Sequence, residues 1–325
     1  MDEILSVKDL KKYFKTPKGL LHAVDNVSFS IKRGETLGVV GESGCGKSTL
    51  GRTIIGLLES SGGQIFFDEK DITRPSGKDV MVLRKQMQMI FQDPFSSLNP
   101  RMSVHDAIAE GMLIHKICSS KEELEKKVEE LMDTVGLARR LANSYPHELD
   151  GGRRQRIGIA RALSLNPSFI VCDEPVSALD VSIQAQILNL MQDLQEERKL
   201  TYLFITHNLS VVKHISNEIM VMYLGQVVEK CGSKELFAHT LHPYTKALLS
   251  AIPTVDLDDR REQILLKGEI SSPINPKPGC RFASRCPYAK ETCTKENPKL
   301  KEIWPGHFVA CHYVEEINNG QEGEK

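Results

Sequence analysis

The fold is decided by the stretch Thr36-Leu37-Gly38-Val39-Val40-Gly41-Glu42-Ser43-Gly44-Cys45-Gly46-Lys47-Ser48. Its first five residues are an apolar run, which predicts a buried parallel strand. The rest fits G-x-x-x-x-G-K-[ST] and opens a helical stretch to about Leu58, so a chance glycine turn is the weaker interpretation. Backbone N–H groups of such a loop surround a phosphate at a helix N-terminus. Lys47 then reaches the β- and γ-phosphates, and the Ser48 hydroxyl binds Mg²⁺. The predicted nucleotide-binding residues of this loop are Gly41, Ser43, Gly44, Cys45, Gly46, Lys47, Ser48 and Thr49.

A second apolar run, Phe169-Ile170-Val171-Cys172, ends in the acids Asp173 and Glu174. An acid after a buried strand holds the Mg²⁺ shell in phosphate-loop enzymes, and we expect Asp173 to do so here. Glu174 is then placed to polarise the attacking water as a general base. The alternative is that both carboxylates simply meet solvent at a strand end.

Two more polar residues follow strand-like runs. Gln92 comes after Met89-Ile90-Phe91, where its amide can sense the metal and the water. His207 comes after Phe204-Ile205-Thr206, where an imidazole can hydrogen-bond the γ-phosphate. Taken alone, Gln92 is equally well explained as a surface residue without a function, and His207 as a solvated residue of a turn.

The order of elements predicts an α/β core with a helical insertion. Apolar runs at Thr36–Val40, Ser168–Cys172 and Thr201–Ile205 read as strands. The region 95–165 reads as helical, with Leu124, Val128, Leu131 and Val135 at helix spacing and a further helix from Gly152 to Leu165. From about residue 240 prolines and cysteines become frequent, so we divide the chain into domains 1–240 and 241–325 and expect the polar end from Glu315 to be disordered.

Charge and composition exclude several classes of protein. Lys+Arg is 42 against Asp+Glu 43 and aromatic residues are 6% of the 325, so neither a basic patch nor stacking platforms indicate a nucleic-acid partner. No apolar run is long enough to span a bilayer, and the first residues carry acids where a secretory signal would be apolar. We therefore expect a cytosolic chain with reduced cysteines.

The full set of motifs resembles the ABC ATPase family over residues 4–235. Besides the elements above, it includes Leu149-Asp150-Gly151-Gly152-Arg153-Arg154-Gln155-Arg156 and Ser177-Ala178-Leu179-Asp180, in the order of that family. The resemblance implies a phosphate-loop (RecA-like) core with an antiparallel β subdomain and a helical subdomain. It also implies two nucleotide domains facing head to tail, each ATP lying between the phosphate loop of one and the glycine-pair helix of the other. The further nucleotide contacts implied are Phe14 or Tyr13 on adenine, and Asp150, Gly151, Gly152, Arg153 and Asp180.

A narrower resemblance is to the dipeptide and oligopeptide importer branch. It is carried by Phe91-Gln92-Asp93-Pro94-Phe95-Ser96-Ser97-Leu98-Asn99-Pro100-Arg101, by His242-Pro243-Tyr244-Thr245 and by the cysteine-bearing tail. It implies an ATPase subunit at the cytoplasmic face of the membrane that powers peptide uptake. Its partners would be a second, non-identical ATPase, two multispanning permease subunits and, indirectly, an extracytoplasmic solute-binding protein. Nickel or another solute, and a soluble ABC ATPase that acts outside transport, stay open.

One motif departs from the family pattern. Where the family has L-S-G-G-Q, this chain has Asp150 for the serine and Arg153 for the glutamine. The family serine donates a hydrogen bond to the γ-phosphate, whereas an ionised aspartate only accepts and carries negative charge. We expect two unequal ATP sites, the one using this chain's phosphate loop being the better hydrolase. Alternatively, Arg153 restores full activity by pairing with Asp150 or the phosphate.

Four cysteines lie close together in the tail: Cys280, Cys286, Cys293 and Cys311. A small region poor in apolar residues often needs a cross-link to stay folded, and in a reducing cytosol a bound metal is expected rather than a disulfide. Four thiolates suit either Zn²⁺ or an iron–sulfur cluster, and unliganded cysteines are the third reading. The spacing lacks the C-x₂-C pairs of zinc ribbons, and the resemblance to the peptide-importer branch implies a [4Fe–4S] cluster.

Overall fold

The computed structural model describes residues 3–252, 263–266, 268 and 271–319. Within these residues the strands form an antiparallel sheet of four strands, in the order β2-β1-β4-β5, and a mixed sheet of eight, in the order β11-β12-β10-β9-β3-β8-β7-β6. The α/β class predicted from the sequence is confirmed. The strands are β1 Glu3–Thr16, β2 Gly19–Lys32, β3 Thr36–Val40, β4 Gly62–Phe67, β5 Lys70–Asp71, β6 Met87–Ile90, β7 Phe169–Asp173, β8 Thr201–Ile205, β9 Glu218–Tyr223, β10 Gln226–Gly232, β11 Lys301–Trp304 and β12 His307–Val309.

The centre of the mixed sheet is parallel and buried. β3 pairs with β8 and β9, β8 with β7, and β7 with β6, all in parallel. Every residue of β3, β7 and β8 is buried, which explains why these strands read as continuous apolar runs. Because the carboxyl ends of parallel strands meet at one edge, the loops after them converge there.

Helices cover the mixed sheet and form the predicted insertion. Leu124, Val128, Leu131 and Val135 are buried as their spacing predicted. On the exposed side of the same helix, Lys127 pairs with Glu123 at 2.7 Å and Lys126 with Glu130 at 3.8 Å. The helices are α1 Lys47–Ile54, α2 Gly77–Gln86, α3 Val104–Ile114, α4 Lys121–Thr134, α5 Gly151–Leu163, α6 Val181–Arg198, α7 Leu209–Ile215, α8 Ser233–Ala238, α9 Pro243–Ser250, α10 Glu291–Lys295 and α11 Val314–Asn319, with single 3₁₀ turns at Arg139–Leu141 and Pro146–Glu148.

The C-terminal region continues the main sheet. β12 pairs antiparallel with β10 and with β11, which extends the mixed sheet by two strands. Phe282 is fully buried and packs edge-on against Tyr223, with ring centroids 5.3 Å apart. The predicted disorder from Glu315 is wrong as far as Asn319, because α11 occupies those residues; residues 320–325 lie outside the described part.

Among the described residues, no helix is both long and apolar enough to cross a bilayer.

Candidate nucleotide-binding site

The loop between β3 and α1 needs its glycines for steric reasons. Gly46 has φ 105°, and a Cβ there would lie 1.9 Å from the carbonyl oxygen of Ala23. Gly41 has φ 152°, and a Cβ there would lie 2.2 Å from the carbonyl oxygen of Met222. L-residues with a side chain rarely adopt such φ values, so the loop takes this close path only with glycine.

Lys47 bonds back to the loop that precedes it. Its side chain is buried, and Nζ donates to the carbonyl oxygens of Gly41 at 2.7 Å and Glu42 at 3.0 Å. The Cys45 sulfur lies 3.8 Å from the same nitrogen. A buried ammonium group surrounded by acceptors on one side is positioned to contribute positive charge to a bound phosphate.

Ser48 and Asp173 meet across the start of α1. The Ser48 hydroxyl donates to Asp173 Oδ1 at 2.6 Å, and Arg52 Nη2 lies 3.4 Å from Oδ2. Asp173 is fully buried; burial raises the pKa of its carboxyl, and the Ser48 hydrogen bond and the Arg52 charge oppose that rise. These are hard oxygen donors of the kind that Mg²⁺ prefers, so Ser48 and Asp173, two of the three residues predicted to bind magnesium, fit the ion. The third, Gln92, lines a cavity together with Ser48.

Of the three residues predicted to be catalytic, two contact a carboxylate oxygen of the third. Glu174 Oε2 accepts from Gln92 Nε2 at 3.1 Å and lies 3.1 Å from His207 Nδ1. These residues follow β6, β7 and β8, which are neighbours in the sheet, so their side chains meet at its carboxyl edge. A carboxylate held by an amide and an imidazole is oriented to accept a proton from water.

A cavity of about 240 Å³ joins these groups to the β subdomain. Phe14, one of the two candidates for an adenine contact, is among the residues that line it. Tyr13, the other candidate, donates its hydroxyl to Asp25 and stacks on the His22 ring at 4.0 Å. The lining residues are Phe14, Leu21, His22, Ala23, Ser43, Gly44, Gly46, Lys47, Ser48, Thr49, Gln92, Glu174, Gly225 and Pro273.

Several lining residues were missed by the sequence analysis. His22 and Ala23 lie on β2, Gly225 follows β9, and Pro273 comes from the C-terminal region. Pro273 reaches the cavity because its carbonyl oxygen accepts from His22 N at 3.0 Å, while Asn275 Oδ1 accepts from Leu20 N at 2.8 Å. No motif marks these positions, so only their place in the fold reveals them.

Comparison with known proteins identifies the family of this chain. Residues 24–177 match the family model "ABC transporter", and residues 228–293 match "Oligopeptide/dipeptide transporter, C-terminal region". The oligopeptide transport ATP-binding protein AppF of Bacillus subtilis is 55% identical over 96% of this chain and 97% of its own length. The chain belongs to the ATP-binding proteins of ABC transporters. The oligopeptide transport ATP-binding protein OppF of the same organism is 51% identical over 97% of this chain and 98% of its own length.

Solved structures agree with this assignment. A dimeric ATP-binding cassette in a post-hydrolysis state with ADP and phosphate is 28% identical, with a TM-score of 0.65 over 70% of this chain and 98% of that one. CbiO1 of Clostridium perfringens, part of a transporter complex, is 32% identical, with the same TM-score over 74% of this chain and 92% of that one. The ABC ATPase fold is therefore confirmed, and the enzymatic activity is ATP hydrolysis.

The glycine-pair motif of this ABC ATPase lies apart from its own phosphate cavity. Asp150 precedes α5 and caps it, since Oδ1 accepts from Arg153 N at 2.8 Å. Arg153 Nε lies 3.4 Å from Asp150 Oδ2, and both side chains are about half exposed or more. Gly151 and Gly152 form the first turn, and a Cβ on Gly152 would lie 2.8 Å from Ile183. Asp180, just before α6, is exposed, and none of these five residues is among those that line the cavity described above.

The four tail cysteines of the ABC ATPase are close enough to affect one another. Burial raises the pKa of the Cys280 thiol to about 11, and the nearby Cys293, Cys311 and Cys286 add to that rise. Burial also raises the pKa values of Cys286 and Cys311. Backbone N–H groups two residues further on, at Phe282, Tyr288 and Tyr313, oppose part of the rise at Cys280, Cys286 and Cys311 respectively.

The predicted metal cluster receives no support from the geometry. Within residues 3–252, 263–266, 268 and 271–319, no group of three or more His, Cys, Asp or Glu side chains is arranged to hold a metal ion. In this structure the four thiols are therefore not gathered into a metal site, and burial favours the protonated form of Cys280, Cys286 and Cys311. The expected cluster stays a prediction from resemblance.

Proposed function

We propose that this chain is the ATP-hydrolysing subunit of an importer for dipeptides and oligopeptides. One observation carries the solute class: 55% identity over nearly the whole length to a protein named for oligopeptide transport. The match of residues 228–293 to the oligopeptide/dipeptide transporter C-terminal region supports it. In this role the chain is peripheral to the membrane, at its cytoplasmic face, and works with membrane-spanning permease subunits.

The proposed mechanism assigns a task to each group at the cavity. Loop N–H groups and Lys47 bind the phosphates, and Ser48 and Asp173 hold Mg²⁺. Magnesium would neutralise charge that develops on the transferring phosphoryl group. Glu174 orients and deprotonates the attacking water, while Gln92 and His207 hold its carboxylate in place. Phe14 is proposed to contact the adenine ring.

Transport is proposed to follow from closure around ATP. A partner ATPase closes its glycine-pair helix over the phosphate, and ATP favours the closed state because it binds that state better. Hydrolysis removes this preference and the pair reopens. We propose that the partner is a second, non-identical ATPase, because Asp150 and Arg153 alter the motif that this chain offers in return.

The solute class is tested by purifying the chain with its membrane partners and reconstituting the complex in vesicles with a solute-binding protein. ATP-driven uptake of labelled dipeptides and oligopeptides is expected, and it should vanish in the complex carrying Glu174→Gln. Uptake of nickel without peptide would reject the peptide proposal. Purification of the chain alone, or with ribosomes, would reject a transport role altogether.

The four cysteines are proposed to bind a [4Fe–4S] cluster, with Zn²⁺ as the alternative. The resemblance to the importer branch is what supports this proposal, since four cysteine thiolates are the usual ligands of such a cluster. Protein purified without oxygen should be brown and should contain iron and sulfide. Colourless protein with stoichiometric zinc, or with no metal, would reject the cluster.

A further inference from the structure

We propose that Arg285 is a positioning residue for the phosphate loop. It lies in the segment between Cys280 and Cys293, far along the chain from that loop. Its Nη1 nevertheless donates to both carboxylate oxygens of Glu42, at 3.0 and 2.8 Å. The proposal rests on ATP hydrolysis, which family membership establishes, and is independent of the transported solute.

Glu42 is held at each of its polar groups. Its backbone N–H donates to the Tyr244 hydroxyl at 2.9 Å, and its carbonyl oxygen accepts from Lys47 Nζ at 3.0 Å. Arg285 holds the carboxylate. The residue that Arg285 fixes is therefore also a hydrogen-bond partner of the lysine that binds phosphate, so a shift of Glu42 moves the position of Lys47.

The ion pair is largely withdrawn from water. The side chains of Arg285 and Glu42 are 9% and 23% exposed, and the guanidinium also lies over the Tyr223 ring, 5.9 Å from its centroid. When one partner of such a pair is removed, the other charge stays uncompensated. On Glu42 that charge would be negative and would lie on the loop that binds a polyanion. Arg285 thus both fixes this loop and neutralises its carboxylate.

Arg281 provides a contrast within the same segment. It bonds to Asp25 and to the Leu224 carbonyl oxygen, and its side chain is 6% exposed. Asp25 in turn accepts from the Tyr13 hydroxyl and lies 3.2 Å from His22, a residue that lines the cavity. Arg281 therefore supports the Phe14 side of the cavity, and its charge pairs with Asp25 rather than with Glu42. It reaches the phosphate loop only indirectly, through the Leu224–Gly225 peptide, whose N–H donates to the Cys45 carbonyl oxygen at 2.8 Å.

The two contacts predict different losses of nucleotide affinity. In the full-length chain, Arg285→Gln should weaken ATP binding about tenfold and ADP binding less, because repulsion by Glu42 grows with phosphate charge. Arg285→Lys should recover part of the loss. Arg281→Gln should weaken ATP and ADP equally. Lys290→Gln, which removes an exposed pair with Glu316 at 2.6 Å in the same region, should change neither.

The deciding measurement is a double-variant cycle on the dissociation constants for fluorescent ATP and ADP analogues. Glu42→Gln combined with Arg285→Gln removes both charges and should bind ATP more tightly than Arg285→Gln alone. Thermal unfolding of each variant separates this recovery from general loss of structure. The proposal is overturned if Arg285→Gln binds ATP like the unmodified chain, if ATP and ADP suffer equally, or if the double variant is as weak as the single one.

Discussion

The hydroxyl oxygen of Ser48 lies 2.6 Å from Oδ1 of Asp173, which joins the first turn after the phosphate loop to the end of β7, two strands away from β3 in the sheet. Ser48 is at the start of α1 and Asp173 is fully buried. Each contributes an oxygen to the same point, at the edge of the cavity where the triphosphate is proposed to lie. The proposed magnesium site rests on this relationship, which gives the first prediction.

Asp173→Asn should lower magnesium-dependent ATP hydrolysis by at least about 100-fold. The amide keeps the size of the side chain but removes the charge that attracts the ion. Steady-state hydrolysis measured against magnesium concentration checks this. Asp193→Asn, an exposed position on α6, is the matched control and should hydrolyse ATP normally. Full activity of Asp173→Asn at ordinary magnesium concentration would contradict the assignment.

Gly46→Ala and Gly44→Ala should differ in nucleotide binding. Both residues have positive φ, 105° and 77°, but only a Cβ on Gly46 collides with neighbouring backbone, at 1.9 Å from Ala23 O. Strain alone costs about 1–3 kcal/mol of stability in each variant. Displacement of the loop in Gly46→Ala should add a loss of ATP affinity of about 100-fold. Calorimetric titration with ATP checks this, and equal affinities would show that the close approach is unimportant.

The buried His242 should make stability depend on pH. Burial lowers its pKa from the usual 6.5 to about 4, and Glu229 opposes this shift. The unfolded chain therefore binds a proton more readily than the folded one, and stability is lost as pH falls from 6.5 towards 4. The loss by pH 4 should be about 3 kcal/mol from this group.

His242→Asn isolates that contribution. The His242 Nδ1 atom accepts from Tyr244 N at 3.1 Å at the start of α9, and asparagine is also a good cap for a helix. The variant should be less stable at pH 7 but should show a shallower slope of unfolding free energy against pH. Urea unfolding at several pH values between 4.5 and 7 gives both slopes, and identical slopes would remove His242 as the cause.

The parts of the fold that were predictable from the sequence are those with strong local signals. The apolar runs of β3, β7 and β8 are buried on both faces, so they stand out whatever lies around them. The polar residues that end these strands were predicted for the same reason, and Gln92, Glu174 and His207 do converge. Motif spacing and strand burial were therefore enough to predict most of the residues that surround the proposed phosphate position.

The rest depends on contacts between distant parts of the chain. β11 and β12 are short and partly exposed, and nothing in Lys301–Trp304 indicates that it extends the main sheet. The buried Glu229 on β10 accepts from His307 Nε2 on β12 at 2.8 Å, a pair that no local pattern marks. Pro273 and Arg285 reach the cavity and its loop in the same long-range way. Local periodicity carries no information about such pairings.

The two ATP sites of the complex should be unequal. Asp150 brings a carboxylate to the motif offered to the partner's nucleotide, and Arg153 pairs with it at 3.4 Å in a half-exposed position where the attraction is weak. The site built on Lys47 and Glu174 uses the partner's motif instead and escapes this charge. Glu174→Gln should therefore abolish most hydrolysis by the complex, while the matching change in the partner should remove less. Initial rates of phosphate release from the two variant complexes decide between these cases. In the complex that carries Glu174→Gln, the remaining site uses the Asp150 motif, so adding Asp150→Ser should raise its rate. Equal losses from the two glutamate changes, with no gain from Asp150→Ser, would mean that Arg153 makes up fully for the missing serine and that the sites are equivalent.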